Sequence, residues 1–126
     1  MPCPCGTKLE YQDCCELYHN GLTKPETAEQ LMRSRYSAFA KKNEQYVLDT
    51  WHISKRSNEI NLKKDLTWWL GLEILNTSLG QAGDTTGEVE FIASYRLRKK
   101  EYKLHERSSF VKEGEQWFYV DGVLLK

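Results

Sequence analysis

Apolar residues recur with the period of an α-helix in two consecutive stretches of the chain. The first stretch runs from residue 28 to about residue 42, and its apolar positions fall on one side of a helix. These positions are Leu31, Met32, Tyr36 and Phe39. Thr27 precedes them and is a suitable N-cap. A second, shorter helix is predicted over residues 43–51, where Tyr46, Val47 and Trp51 share a side, and the two helices should pack as one layer.

From residue 69 onward the apolar positions alternate, which is typical of β-strands. We predict strands over residues 69–76, 88–98, 102–112 and 116–121. The second strand is the most regular, and its inward positions are Val89, Phe91, Ala93, Tyr95 and Leu97. In the first strand Leu70, Leu72 and Ile74 should share a face, and Glu113 with Gly114 should form a tight hairpin turn. Together the strands predict an antiparallel meander.

Helices followed by an antiparallel sheet predict the α+β class, with the helical layer covering one face of a curved sheet to form a cone. The 126 residues suffice for one hydrophobic core and a small appendage. Residues 1–24 hold few apolar side chains and cannot bury enough surface to fold unaided. We therefore predict a metal-stabilised knuckle at residues 1–24 and a core domain at residues 25–126.

Charge and hydropathy argue against two classes of partner. Eighteen Lys and Arg balance eighteen Asp and Glu, so the chain lacks the overall positive charge that drives nonspecific binding to nucleic acids or anionic membranes. The longest nearly apolar stretch, residues 68–75, is interrupted by Gly71 and Glu73 and is too short to cross a bilayer. Because no signal segment opens the chain, we expect a cytoplasmic protein.

The four cysteines lie in one cluster with the spacing C-x-C-x8-C-C. Cys3, Cys5, Cys14 and Cys15 form two close pairs of thiols, a donor set that suits tetrahedral Zn²⁺. Since four thiolates fill every coordination position, the predicted zinc is structural. A reducing compartment favours metal over disulfides. The alternatives are a disulfide from Cys3 to Cys14 or Cys15, or free reactive thiols.

Two neighbours of the cysteines bear on this site. Gly6 should let the backbone turn tightly and aim amide hydrogens at the sulfurs. His19 lies four residues after the last cysteine and could replace a ligand. With four thiols present, we expect His19 to be a surface or packing residue.

Several segments resemble known families. Residues 3–7 together with 13–15 resemble the SEC-C motif, the zinc knuckle at the tail of the SecA translocase, with Lys8 and its neighbours in place of the usual second glycine. Segments 31–39, 50–52, 69–72, 106–110 and 117–122 resemble the YchJ family of bacteria, although Ile53 stands where that family usually has proline. The resemblance implies a core like nuclear transport factor 2, or cystatin-like, with a SEC-C knuckle appended. It implies no settled biochemical activity.

Two charged residues interrupt the predicted apolar faces. Arg35 lies between Leu31 and Phe39 at four-residue steps, and Glu106 interrupts the inward row of the third strand. Because a buried arginine needs partners, we predict that Arg35 and Glu106 meet inside the cone. They either anchor helix to sheet or form the polar floor of a ligand cavity. The aromatic walls of that cavity would be Tyr36, Trp51, Trp69 and Tyr95.

His52 completes the candidate pocket as the remaining group suited to proton transfer, with capping or packing at the helix end as its alternative. Ser37 and Ser108 lack a recognisable activating triad. We therefore expect no enzymatic activity, since neither a nucleophile nor a second base is identified.

Two functional hypotheses follow. The first is a non-enzymatic adaptor whose zinc knuckle binds a protein or ribonucleoprotein partner, as the SEC-C resemblance suggests. The alternative is a small-molecule-binding protein or enzyme that uses the cavity of the cone, and fold analogy cannot choose between them. Redox sensing by the cysteines ranks third, and homodimerisation through the outer sheet face stays open.

Overall fold

The computed structural model describes residues 2–57 and 60–125. The N-terminal segment contains a 3₁₀ turn, Tyr11–Asp13, and helix α1, Cys15–His19. Two further helices follow, α2 at Ala28–Ala40 and α3 at Glu44–Asp49, and a second 3₁₀ turn spans Leu62–Lys64. The four strands are β1 (Trp68–Leu79), β2 (Thr86–Leu97), β3 (Lys100–Glu113) and β4 (Gln116–Leu124). They form one antiparallel sheet in the order β1-β2-β3-β4, which confirms the α+β class and the meander.

Side-chain caps set where the helices of the core begin. Thr27 Oγ1 accepts a hydrogen bond from the Gln30 amide at 3.1 Å, as predicted, and Asn43 Oδ1 accepts one from the Tyr46 amide at 3.1 Å. Both helices end about two residues earlier than predicted. Lys42 adopts the left-handed conformation with a φ of 60°, which ends the α2 segment and lets Asn43 cap α3.

The first strand differs from its prediction at one residue. Trp69, Leu72 and Ile74 pack against the core, whereas Leu70 is 41% exposed. The register of β1 against β2 shifts between Trp69 and Gly71. The prediction that Leu70 faces inward was therefore wrong, because a bulge inserts one unpaired residue and turns its side chain to the outer face.

Two other details of the sheet also depart from the prediction. Leu97, expected to face inward, is partly exposed at the end of β2. The last hairpin turns at Gly114 and Glu115, whose φ angles are 57° and 66°, while Glu113 still pairs with Gln116. Two left-handed residues match the right-handed twist of the flanking strands, which places the turn one residue later than predicted.

The hydrophobic core lies between α2 and the inner face of the sheet. Its buried members are Ala28, Leu31, Met32, Tyr36, Val89, Phe91, Ala93, Phe110 and Trp117. The start of α2 is held on the β1–β2 connection, where the Ala28 amide donates to the Gly80 carbonyl at 2.9 Å. Gly87 makes this contact possible, since a Cβ there would lie 2.5 Å from Gly80 Cα and 3.3 Å from Ala28 Cβ.

Candidate functional site

Short elements of the N-terminal segment bring its four cysteines together. Cys3 and Cys5 lie on a loop that is closed by the Cys3 amide donating to the Leu9 carbonyl at 2.8 Å. Cys14 and Cys15 stand at the start of α1. All four sulfurs lie within 4.8 Å of one another, with 3.7 Å between Cys5 and Cys14 and 4.0 Å between Cys14 and Cys15.

The sulfur geometry fits a tetrahedral metal site. Four ligands at a Zn–S distance of about 2.3 Å would be separated by about 3.8 Å from one another, close to the distances in this cluster. A disulfide needs about 2.05 Å between sulfurs, and all four cysteines are free. A hydrogen bond from Cys15 lowers the pKa of the Cys5 thiol to about 4, and bonding to Cys5 together with burial raises that of Cys15. The four thiols could therefore hold one metal ion.

Gly6 allows the tight turn that was predicted, but its amide does not point at a sulfur. Its φ of 88° requires glycine, and its amide donates to the Cys3 carbonyl at 3.4 Å. A Cβ at Gly6 would lie 3.2 Å from the Leu72 carbonyl oxygen, so glycine also allows close approach to β1. The backbone amide that helps lower the pKa of Cys5 belongs to Thr7.

Helix α2 holds the cysteine segment from the other side. Arg33 Nη1 donates to the Cys5 carbonyl at 2.6 Å, and Cys3 Sγ lies 3.3 Å from Ser37 Oγ. His19 Nε2 donates to the Ser34 carbonyl at 2.9 Å. His19 Nδ1 therefore accepts from the Tyr11 hydroxyl at 2.6 Å. Burial lowers the pKa of His19 and favours this neutral form. His19 thus packs the segment against α2, as expected.

A second candidate site is a cavity of ≈ 250 Å³ between α2 and the sheet. Most of its wall is apolar and aromatic. Arg35, Glu106, Tyr36, Trp51 and Trp69 of the predicted pocket all line it. The residues that sequence reasoning missed are Met32, Phe39, Phe91, Ala93, Leu104, Ser108 and Tyr119. Strand alternation in β4 could have found Tyr119, two positions after the buried Trp117.

Tyr95 and His52 do not line the cavity. The Tyr95 ring lies behind Trp69, with 5.4 Å between ring centroids, and stacks on Tyr102 at 5.3 Å. His52 bonds to Ser54 Oγ at 2.7 Å and to Glu113 Oε2 at 3.1 Å outside the cavity. Its place at the end of the α3 segment is therefore a packing position on the surface.

Arg35 is the most deeply buried charge of the cavity, with 4% of its surface exposed. Its Nη1 donates to the Val47 carbonyl and to Thr50 Oγ1, both at 2.8 Å. Its Cζ lies 4.5 Å from the centroid of the Tyr119 ring, a cation–π contact. Burial lowers the pKa of Arg35 to about 10.

The predicted contact between Arg35 and Glu106 is not formed. Both residues line the cavity, but no ion pair or hydrogen bond of the described residues joins them. Glu106 Oε2 instead accepts from Ser108 Oγ at 2.6 Å and from the Tyr119 hydroxyl at 3.5 Å. Trp51 Nε1 is buried without an acceptor in the part of the chain that the structure describes. Arg35 and Glu106 thus line the cavity without pairing with each other.

Two family models match this chain. The model of the SEC-C motif matches residues 2–17, the segment that holds the four cysteines. The model of the YchJ middle NTF2-like domain matches residues 27–122, which include the helical layer and most of the sheet. The chain belongs to the YchJ family.

Relatives and solved structures agree with this YchJ assignment. The chain is 46% identical to a UPF0225 protein of Streptomyces coelicolor, over 98% of this chain and 96% of that protein. It is 45% identical to a UPF0225 protein of Cupriavidus pinatubonensis, over 98% of this chain and 89% of that one. The solution structure of a SEC-C motif containing protein from Rhodopseudomonas palustris matches with a TM-score of 0.87 and 31% identity, covering all of both chains.

A crystal structure gives a second match to this chain. The SEC-C motif containing protein from Psychrobacter arcticus matches with a TM-score of 0.80 and 30% identity, covering all of this chain and 84% of that one. These likenesses confirm the predicted NTF2-like core with a SEC-C motif at its N-terminus. Over residues 2–57 and 60–125, no helix is both long enough and apolar enough to span a bilayer.

Proposed function

We propose that this protein is a zinc-stabilised small-molecule-binding protein whose ligand occupies the cavity between α2 and the sheet. The observation that carries the proposal is Arg35, a charge that is 4% exposed and lies on an otherwise aromatic wall with no carboxylate paired to it among the described residues. An unpaired buried charge is unfavourable for the free protein. Apolar pockets with a few convergent polar groups are the usual sites of small ligands.

In this proposal the zinc is structural and is held by Cys3, Cys5, Cys14 and Cys15. Four thiolates would leave no position for water or substrate. The metal would hold a segment with few apolar residues against α2, the helix that also carries Arg35. Metal analysis of the purified protein should find one zinc per chain, and a strong chelator should lower the melting temperature. A metal-free protein that melts at the same temperature would contradict the structural role.

The cavity is tested by filling it. Leu104 lines the cavity, whereas Lys103 is its exposed neighbour on β3. A thermal-shift screen against small molecules of mixed charge should give ligands that stabilise the parent protein and Lys103→Trp but not Leu104→Trp. Circular dichroism should first establish that both variants are folded. Equal stabilisation of the two variants would place the ligand elsewhere.

We also propose, as a second candidate, an adaptor function in which the cysteine segment binds a protein or ribonucleoprotein partner. The supporting observation is that Leu9 and Leu22 of this segment are 52% and 75% exposed. Large apolar side chains exposed on so small a segment offer hydrophobic contacts to a partner. The face toward α2 is already used within the chain, so a partner would have to bind the opposite side.

Surface variants test the adaptor function more cleanly than loss of the metal. Cys15 Sγ lies 3.7 Å from the Arg33 carbonyl oxygen, so replacing the cysteines would also disturb α2. Leu9→Glu with Leu22→Glu should abolish capture of a partner from a nuclease-treated lysate. The matched control is Ile53→Glu, an exposed position on another loop. Equal capture by both variants would contradict an adaptor role for this surface.

A further inference from the structure

We infer that the ligand of the cavity is a small organic carboxylate with an apolar body, bound through its carboxylate by Arg35. This inference rests on the proposed function and names the chemical class of the ligand. Two features of the cavity wall support it: the unused donors of Arg35 and the apolar remainder of the lining.

The first feature is the free edge of the Arg35 guanidinium. A guanidinium has five N–H donors, of which Nη1 carries two. Both Nη1 donors are used, by the Val47 carbonyl and Thr50 Oγ1 at 2.8 Å each. Nε and Nη2 together carry the other three, and no acceptor for them exists among the residues described. The edge formed by Nε and Nη2 matches the two oxygens of a carboxylate.

The Trp51 indole belongs to the apolar part of the wall. The centroid of its ring lies 6.0 Å from Arg35 Cζ, so a ligand held by Arg35 would also contact this ring. Its Nε1 is buried away from the cavity space and lacks an acceptor among residues 2–57 and 60–125, so it is not part of the anion site.

Arg35 and Glu106 do not pair, so the free donors of Arg35 remain available to an anion. Glu106 is the one acidic side chain among the described residues that line the cavity. Its Oε2 accepts from Ser108 and Tyr119, and no ion pair joins it to Arg35. Its Oε1 has no donor in the described part of the chain, so a ligand that also carries a hydroxyl would satisfy it. The ligand class is therefore a carboxylate, with a hydroxyl donor as a favourable addition.

The size of the cavity limits the body of the ligand. Its ≈ 250 Å³ is below the range of about 300–1,000 Å³ that is usual for drug-sized ligands. The remaining wall includes Tyr36, Phe39 and Trp69, which would pack on a flat or branched apolar group. A single aromatic ring with a short acidic side chain has the matching chemistry.

Isothermal titration with four small molecules tests the inference. All four carry a phenyl group, and they differ in the polar group attached to it. The probes are phenylacetate, phenyllactate, phenylacetamide and phenethylamine, titrated at neutral pH into the full-length, zinc-loaded protein. Phenylacetate should bind at least tenfold more tightly than its amide, because the amide cannot form a charge-assisted bidentate pair with Arg35. Phenyllactate should bind more tightly than phenylacetate, and phenethylamine should not bind.

Two variants test the role of Arg35 separately from the fold. Arg35→Met should abolish the preference for the acid over the amide, and circular dichroism should show that it is folded. Trp68→Phe, at an exposed position on β1, should change neither the preference nor the melting temperature.

The outcomes distinguish this inference from the proposed function. Tight binding of the amide or the amine, with weak binding of the acids, would overturn the carboxylate assignment and leave a ligand-binding cavity. The same acid affinity in Arg35→Met and the parent protein would overturn it as well. If none of the four probes binds, the carboxylate assignment is overturned. The mixed-charge screen with the Leu104→Trp variant would then decide by itself whether the cavity binds a ligand.

Discussion

Replacing Arg35 with methionine should stabilise the ligand-free protein. Methionine has about the same length as the arginine stem, carries no charge, and packs well against aromatic rings such as Tyr119. A residue retained for anchoring would show the opposite effect, because removing a structural contact destabilises a protein. The sign of the change in unfolding free energy therefore separates the two interpretations of Arg35.

The magnitude follows from burial. Burial lowers the pKa of Arg35 to about 10, well below its usual value, and each tenfold change in the proton equilibrium corresponds to about 1.4 kcal/mol. The cation thus costs about 3 kcal/mol of stability. Since the folded pKa lies below the unfolded one, this cost is complete at every pH below about 10 and is relieved only as the pH rises above 10 toward the unfolded value. Measurements at neutral pH therefore report all of it.

Two hydrogen bonds of Nη1 offset part of this gain. The Val47 carbonyl and Thr50 Oγ1 both lose a donor, but the Thr50 hydroxyl still lies 2.7 Å from the Tyr46 carbonyl and 3.4 Å from that of Val47. At about 0.5–1.5 kcal/mol for each lost bond, the net stabilisation should lie between zero and about 2 kcal/mol. For a chain of this size, that corresponds to a rise of up to about 8 °C in melting temperature.

Urea unfolding of the zinc-saturated, ligand-free protein at pH 7, followed by circular dichroism, is the assay. The matched control is Arg33→Met, because Arg33 binds the Cys5 carbonyl and Glu29 near the surface and its loss should destabilise the protein. A loss of 2 kcal/mol or more in Arg35→Met, with an unchanged dependence on urea, would refute the reasoning. It would make Arg35 an anchor between helix and sheet.

Three further predictions concern separate parts of the chain. In a double-mutant cycle, the unfolding free energies of Arg35→Met and Glu106→Gln should deviate from additivity by about 0.5 kcal/mol or more, because Arg35 packs on the Tyr119 ring and Glu106 accepts from the Tyr119 hydroxyl; strict additivity would show that the two residues act independently. Gly87→Ala should lose at least about 2 kcal/mol in urea unfolding, since its Cβ would lie 2.5 Å from a backbone atom, whereas Gly83→Ala, with open space around it, should be near neutral; equal stabilities would argue against the close approach. Lys8→Gly should raise the free energy of unfolding by about 0.5 kcal/mol and raise the melting temperature slightly, because the φ of Lys8 is 71°, a conformation that glycine adopts without strain. A lower melting temperature would count against strain at Lys8.

Local patterns predicted the elements well because their causes are local. The helical period from Leu31 to Phe39 reports which face of α2 is buried, and Thr27 and Asn43 cap the helices with their own side chains. Alternation along β2 placed Val89, Phe91 and Ala93 in the core. The spacing of the cysteines likewise predicted their cluster, because a short loop and one helical start suffice to bring the four sulfurs together.

The errors arose where a side chain's direction depends on distant parts of the chain. Leu70 faces outward because a bulge against β2 inserts an unpaired residue, and strand alternation within β1 cannot show that bulge. Tyr95 was expected in the cavity, but Trp69 lies in front of it. Arg35 and Glu106 both line the cavity, yet they do not pair, because Val47 and Thr50 of the neighbouring helical segment bind Arg35 Nη1 and Ser108 binds Glu106.

The sequence by itself determined the order of elements, the α+β architecture, the four clustered cysteines and the two charges that face the core, since each depends on period, spacing or composition along the chain. Only the tertiary structure decided which donors of Arg35 and Trp51 lack acceptors, and that α2 carries the cysteine segment on one side and Arg35 on the other. Hydrogen bonding in a core depends on distances and angles between residues far apart in the chain, and these are defined only when helix and sheet have packed together.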